Sequence, residues 1–181
     1  MRVGVYGLGN VLRRDDGFGP TVVRLLESRY SFPPESVVLK DLGTPGLDLA
    51  SHFAGFDALV LIDSVAEEGR PGLLVYYDRE ELTGAPPAQR MTQHEGDVRE
   101  ALWLADVQGD GPRQVRLVGV VPADLDSGPG LSPEVDAACE AACDAAILEL
   151  RNLGIEPVPR PEPLPTGIWW REGSPATHAT L

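Results

Sequence analysis

Short apolar runs alternate along this chain with segments of helical periodicity, and this alternation restricts the possible folds more than any other feature. Five runs have the length and apolar content of strands. They lie at 2–7, 37–40, 58–62, 72–77 and 115–121. The run at 58–62 is apolar throughout, which is typical of a parallel strand that helices cover on both faces. The run at 72–77 follows a short polar turn, so we expect an antiparallel edge strand there.

Four further segments repeat apolar residues at helical spacing. They lie at 19–30, 46–55, 95–107 and 132–153. Pro20 and Pro133 stand in predicted first turns, where proline is common, and Gly154 follows the last helix as a terminating glycine. Strands and helices that alternate at short spacing predict a three-layer α/β/α fold. In this fold a mostly parallel, twisted sheet of about five strands has helices on both faces.

The composition changes after residue 155, which we take as the end of a single α/β domain. Residues 156–181 contain six prolines and few aliphatic side chains, a composition typical of extended or disordered segments. We therefore predict a disordered, Pro-rich tail at 156–181, and we expect truncation after Leu153 to matter less than substitutions at the functional site. The pair Trp169-Trp170 is unusual in such a tail. We favour packing of this pair on the domain surface over a partner-binding motif.

Charge and hydropathy argue against two classes of partner. The formal net charge is −13, and the sequence has no basic run of the kind that binds nucleic acid or anionic membrane surfaces. The longest apolar runs are far shorter than the ~20 residues of a membrane-spanning helix, and the N-terminus lacks the pattern of a signal peptide. Cys139 and Cys143 are spaced as small core residues on one helix face. We expect a cytoplasmic protein that binds neither nucleic acid nor membranes.

The predicted topology selects candidate site residues. Ligands of open α/β sheets bind beyond the carboxyl ends of the strands. Asp16 and Asp63 each follow a predicted central strand, and His94 ends the loop expected at 79–94 after the edge strand. Two carboxylates and one imidazole suit a borderline divalent ion such as nickel or zinc, with a position open for water or substrate. Either carboxylate alone is explained more simply as a cap or turn former, and Asp15 is the better capping candidate of the adjacent pair.

The glycine-rich turn after the first strand also permits a nucleotide-binding interpretation. The turn starts like a dinucleotide fingerprint, but Leu12 stands where the third glycine is required. Asp15 and Asp16 would place negative charge where phosphates should lie, although Asp41 could bind a ribose. A nucleotide-binding oxidoreductase is therefore the less favoured alternative.

One long motif and several short ones resemble a known family. Residues 7–20, GLGNVLRRDDGFGP, closely resemble the opening motif of the nickel–iron hydrogenase maturation endopeptidases. The likeness continues in order at 43–46 (GTPG), 61–63 (LID), 92–94 (TQH), 120–122 (VVP) and 130–135 (GLSPEV). It covers the chain from residue 1 to about 153 and leaves out the tail. Thr92 stands where the family more often has serine.

The resemblance implies a fold, an activity and a set of site residues. Members of this family have an α/β/α fold and remove a C-terminal extension from the precursor of the hydrogenase large subunit after nickel insertion. Their three metal-contacting positions correspond to Asp16, Asp63 and His94, which we assign to both catalysis and metal recognition. The nickel is expected to arrive with the substrate precursor, and no organic cofactor is expected.

The remaining expectations concern substrate and assembly. We assign Gly9, Asn10, Gly43 and Thr44 to substrate binding, since glycines let a substrate strand approach the backbone closely. The negative charge favours a cationic or metal-loaded substrate over an anionic one. We expect a monomer that acts on the large-subunit precursor. A non-catalytic chaperone or metal-binding module that recognises the same precursor is an alternative from a different functional class.

Overall fold

The computed structural model describes residues 1–84 and 95–170, in which the predicted apolar runs form the strands of one main sheet. In chain order the elements are β1 (Val3–Leu8), α1 (Phe18–Arg29), β2 (Tyr30–Ser31), β3 (Val37–Gly43), α2 (Leu49–Phe53), β4 (Ala58–Ser64), β5 (Leu74–Asp78), α3 (Arg79–Gly84), α4 (Glu95–Gln108), β6 (Gln114–Val120), α5 (Pro133–Asn152) and β7 (Val158–Pro159). Two 3₁₀ turns precede α1 and α2, at Arg14–Gly17 and Gly46–Asp48.

The main sheet has the strand order β3-β1-β4-β6-β5. The first four of these strands are parallel, and β5 pairs with β6 in the antiparallel direction. The chain leaves β1 toward one edge of the sheet and leaves β4 toward the other, so the crevice between these two strands is the topological switch point. The structure confirms the predicted α/β class and the antiparallel edge strand.

Side chains that alternate along the strands form one core on each face of the sheet. On β4, Val60 packs in the core that includes α1 and α5, whereas Leu59 and Leu61 pack in the core that includes α2 and α4. Cys139 and Cys143 are buried in the first of these cores, as predicted for small residues on one face of α5.

The prediction of a disordered tail at 156–181 does not hold for residues 156–170, which we call the C-terminal strap. β7 in this strap pairs with β2, directly after α1. The Leu164 amide donates a hydrogen bond of 2.9 Å to the Ser28 carbonyl. Proline restricts the unfolded strap as well as the folded one, so less conformational entropy is lost when the strap docks. The part of the tail at 171–181 lies outside the described residues.

The two tryptophans of the strap have different surroundings. Trp170 is buried in the core that includes α1 and α5, together with Ile168 of the strap, whereas Trp169 is 59% exposed. The expectation that this pair packs on the domain surface is therefore confirmed for Trp170. A few apolar side chains dock this Pro-rich segment, although its composition alone indicated disorder.

Two further segments differ from the expected elements. The loop predicted at 79–94 begins as helix α3, and residues 85–94 lie outside the described residues. The single short helix predicted at 46–55 consists of a 3₁₀ turn followed by α2. Among the described residues, no helix is long and apolar enough to span a membrane.

Candidate active site

The carboxyl ends of β1 and β4 bring Asp16 and Asp63 into one cluster. Asp63 lies near the end of β4, and Asp16 lies in the 3₁₀ turn that follows β1. Both are buried, with 0% and 1% of their surface exposed, respectively. Ser64 connects them, because its hydroxyl donates to Asp16 Oδ1 at 3.2 Å and its backbone amide donates to Asp63 Oδ1 at 2.8 Å. Two of the three predicted site residues thus share one hydrogen-bonded cluster.

Glycine allows the close approach of backbones that places Asp16. Gly9 has a φ of +129°, and a Cβ at this position would lie less than 3.0 Å from the Asp16 carbonyl oxygen. A Cβ at Gly19 would lie less than 3.0 Å from the carbonyl oxygens of Leu8 and Ile62. The start of α1 therefore rests directly on the backbones of β1 and β4, beside the carboxylate cluster.

The four predicted substrate-binding residues lie on two neighbouring loops. The Gly9 amide donates to the Gly43 carbonyl at 2.9 Å, which joins the loop after β1 to the end of β3. The Asn10 amide donates to Asp16 Oδ2 at 3.0 Å, and Thr44 is exposed beside Gly43. The fold itself requires glycine at position 9, so its presence there needs no substrate to explain it. Substrate binding by these four residues stays a prediction.

Asp15 has a role that sequence reasoning missed. The sequence makes it the better capping candidate of the adjacent pair, but its carboxylate is fully buried and binds the loop between β6 and α5. The donors are the amides of Ala123, Asp124 and Ser132 and the hydroxyl of Ser132, at 2.6–3.0 Å. Ser132 is also the N-cap of α5. Asp15 therefore attaches this loop to the turn that carries Asp16, across more than a hundred residues of sequence.

Arg14 adopts a left-handed backbone conformation immediately before the two aspartates. Its φ is +47°, which is uncommon for a residue other than glycine or asparagine. The Arg14 amide donates to the Gly128 carbonyl at 2.8 Å, and its Nε lies 3.5 Å from Asp124 Oδ2. These contacts hold the unusual turn. As a result, Asp15 faces the loop after β6 while Asp16 faces the end of β4.

The third predicted site residue, His94, lies outside the described residues, as does Thr92. Within 1–84 and 95–170, no group of three or more His, Cys, Asp and Glu side chains could hold a metal ion. An ion bound between Asp16 and Asp63 would therefore need further ligands from His94, from water or from a bound substrate.

Two ionisable groups on the α2 side of the sheet have shifted pKa values. Burial raises the pKa of Tyr6 to about 12, although the nearby charge of Arg2 acts in the opposite direction. Burial, and then the charge of Lys40, lower the pKa of His52. The Tyr6 hydroxyl donates to the His52 carbonyl at 3.1 Å and so connects β1 to α2. The predicted position of His52 in a short helix is confirmed.

Comparison with known proteins identifies the family. The family model HycI, described as hydrogenase maturation protease, matches residues 20–149. This chain belongs to the hydrogenase maturation protease family. Hydrogenase 2 maturation protease from Escherichia coli is 34% identical to this maturation protease over 161 residues, which cover 88% of this chain and 97% of the relative. The hydrogenase expression/formation protein HupM from Azotobacter chroococcum is 38% identical over 157 residues, which cover 86% of this chain and 75% of HupM.

Solved structures agree with this assignment. The hydrogenase maturating endopeptidase HybD from E. coli matches with a TM-score of 0.82 and 33% identity, covering 88% of this chain and 98% of HybD. The [NiFe] hydrogenase maturation protease HybD from Thermococcus kodakarensis matches with a TM-score of 0.65 and 28% identity, covering 81% of this chain and 97% of the other. This maturation protease is thus a peptidase by family, and the alternative of a nucleotide-binding oxidoreductase is not supported.

Proposed function

We propose that this maturation protease removes a C-terminal extension from the nickel-loaded precursor of a [NiFe] hydrogenase large subunit. The observation that carries the proposal is the buried carboxylate pair of Asp16 and Asp63 at the switch point, in a chain of this family. Burying two carboxylates is costly unless hydrogen bonds and a cation offset their charge. Nickel held by the precursor is such a cation, and it belongs to the substrate in this proposal.

The ligand set explains how a loaded precursor is distinguished from an empty one. Asp16, Asp63 and His94 offer two oxygens and one nitrogen, which complete the coordination of an ion that the precursor already holds. An empty precursor lacks that ion and gains no binding energy from these three side chains. The net charge of −13 favours approach of the metal-loaded site over an anionic surface.

The same carboxylates supply the proton acceptor that peptide hydrolysis requires. We infer an aspartyl-type mechanism in which the ion anchors the precursor and Asp16 or Asp63 accepts a proton from the water that attacks the scissile carbonyl. The same carboxyl then returns this proton to the amine nitrogen as the peptide C–N bond breaks. Hydrogen bonds from Ser64 and from the Asn10 amide hold the two oxygens of Asp16 in place. The monomeric state and cytoplasmic location expected from the sequence stay predictions.

The direct test is to incubate the purified protein with nickel-loaded precursor and weigh the products by mass spectrometry. We expect the precursor to lose a defined C-terminal peptide and the nickel-free precursor to stay intact. A loaded precursor that binds the protein and stays at full length would contradict the peptidase and favour the non-catalytic chaperone.

The site residues are tested in the same assay. We expect Asp16→Asn, Asp63→Asn and His94→Ala each to lower kcat/KM at least about 100-fold, because each removes a ligand or proton acceptor. Asp110→Asn is the matched control, since Asp110 is an exposed acid in the loop before β6. Thermal unfolding checks that all four variants fold. Near-normal cleavage by any of the first three would remove that residue from the site.

A further inference from the structure

The C-terminal strap ends against the turn that carries Asp16. Trp170 is buried, and its Cδ1 lies 3.9 Å from the position that a Cβ would occupy at Gly17, the residue after Asp16. The Trp170 carbonyl oxygen lies 3.3 Å from the corresponding position at Gly130, in the loop between β6 and α5. Trp170 therefore lies between the start of α1 and the loop that Asp15 holds.

Two consecutive hydrogen bonds connect the indole to this turn. Trp170 Nε1 donates to Thr21 Oγ1 at 2.9 Å, and Thr21 Oγ1 donates to the Gly17 carbonyl at 2.7 Å. An indole N–H can only donate, whereas a hydroxyl can donate and accept at once. The direction of both bonds is therefore fixed, and the fully buried hydroxyl of Thr21 uses its single proton on Gly17.

We propose that Trp170 is a positioning residue for the Asp16 carboxylate. The proposal rests on the function proposed for Asp16 and extends it to a residue of the C-terminal strap. The indole fixes the rotamer of Thr21, Thr21 holds the Gly17 carbonyl, and Gly17 ends the turn that presents Asp16. Displacing a reacting group by about 1 Å can reduce a rate by two orders of magnitude, so a small change in this turn has a measurable effect.

Other contacts hold the strap without the indole N–H. The Arg160 amide donates to the Arg29 carbonyl at 2.7 Å, and Ser28 exchanges hydrogen bonds with Leu164 through its hydroxyl and its carbonyl. The β2–β7 pairing adds to these contacts. Trp170→Phe therefore leaves the strap docked and an aromatic ring in place while removing the donor. This separates positioning of the turn from attachment of the strap.

The test compares four variants in the full chain. Trp170→Phe removes the hydrogen-bond donor. Thr21→Val removes both hydrogen bonds at similar side-chain volume, whereas Thr21→Ser keeps the hydroxyl. Trp103→Phe is the matched control, because Trp103 is 65% exposed on α4, on the other face of the sheet. Each variant is assayed for kcat and KM on nickel-loaded precursor. Amide hydrogen exchange is measured on the same proteins without precursor.

We expect Trp170→Phe to lower kcat/KM about tenfold, mainly through kcat, as loss of one hydrogen bond in a positioning chain would do. Thr21→Val removes both bonds and should lower kcat/KM at least as much. Thr21→Ser and Trp103→Phe should keep the wild-type rate. We also expect faster exchange at Asn10, whose amide donates to Asp16, with unchanged protection of β4. Wild-type kcat/KM in Trp170→Phe would overturn the proposal. A uniform loss of protection that includes β4 would also overturn it, since that pattern indicates general destabilisation.

The two readouts separate this inference from the proposed function. Wild-type protein that leaves loaded precursor uncut contradicts the proposed function, and unchanged exchange at Asn10 in Trp170→Phe then contradicts the hydrogen-bond chain independently. Loss of cleavage in Asp16→Asn together with full cleavage in Trp170→Phe supports the proposed function and overturns the positioning role.

Discussion

Two neighbouring carboxylates after β1 form their hydrogen bonds in different directions. Asp15 accepts four bonds from the loop between β6 and α5, whereas Asp16 accepts from Ser64 and Asn10 at the carboxyl end of the sheet. The left-handed turn at Arg14 precedes both residues. Asp15 thus holds the structure together, whereas its neighbour Asp16 is a candidate catalytic residue.

Asp15→Asn tests the organising role. An amide replaces one acceptor oxygen with a donor that faces other donors, so we expect the free energy of unfolding to fall by about 2–4 kcal/mol. Urea denaturation measures the change. Ser132→Ala is the comparison, since it removes the hydroxyl bond and the N-cap of α5, at a cost of about 1 kcal/mol. A smaller loss in Asp15→Asn than in Ser132→Ala would contradict the central role of Asp15.

Tyr6 predicts a pH dependence of stability. Its pKa is raised from 10.0 to about 12 by burial, so the folded state keeps the proton that the unfolded state loses. This contribution is complete below pH 10 and is lost as the pH rises from 10 to about 12, by about 2–3 kcal/mol. Chemical denaturation across this range should show a shallower pH dependence in Tyr6→Phe. Identical slopes in both proteins would refute the assignment to Tyr6.

At the scale of elements, α1 determines the geometry of the site, because it begins directly on the backbones of two strands. We expect Gly19→Ala to lower the free energy of unfolding by about 2–4 kcal/mol, since its Cβ would collide with the carbonyls of Leu8 and Ile62. Gly84→Ala is the matched control, because a Cβ at the end of α3 meets none of the described residues within 4 Å. Its effect should be within about 1 kcal/mol of zero. Equal effects of the two changes in thermal unfolding would argue against the close contact.

Periodicity predicted the elements whose side chains face a core. The strands at β1, β4 and β6 and the helices α1 and α5 follow from local patterns, and the rule for the carboxyl edge selected Asp16 and Asp63 correctly as neighbours. The two-residue strands β2 and β7 have no detectable period. Each forms only by pairing with the other.

The roles of Asp15 and Trp170 could not be predicted for the same reason. Their hydrogen-bond partners lie more than a hundred residues away, at 123–132 and at Thr21. A local pattern therefore suggested a cap for Asp15. Proline content likewise suggested disorder for the strap, because composition carries no information about which apolar side chains pack in the core.

At the scale of the whole molecule, the strap closes the domain by joining its last described residues to α1. Truncation after Leu153, which we expect to matter less than substitutions at the functional site, should nevertheless lower stability. Deleting residues 156–181 removes the buried Ile168 and Trp170, and we expect the free energy of unfolding to fall by about 3–6 kcal/mol from this lost apolar burial. Guanidinium denaturation checks this value. Trp169→Ala, at an exposed position beside Trp170, should change it by less than about 1 kcal/mol.

The strap also has a consequence for protein synthesis. Asp16 is made among the first residues, but the neighbouring turn receives its final hydrogen-bond donor from residue 170. Translation proceeds from the N-terminus, and contacts between distant segments form only after both have left the ribosome. Nascent or prematurely terminated chains therefore carry both aspartates without the complete arrangement around them. By the positioning role proposed for Trp170, fragments that lack the strap cut nickel-loaded precursor more slowly than the full chain does.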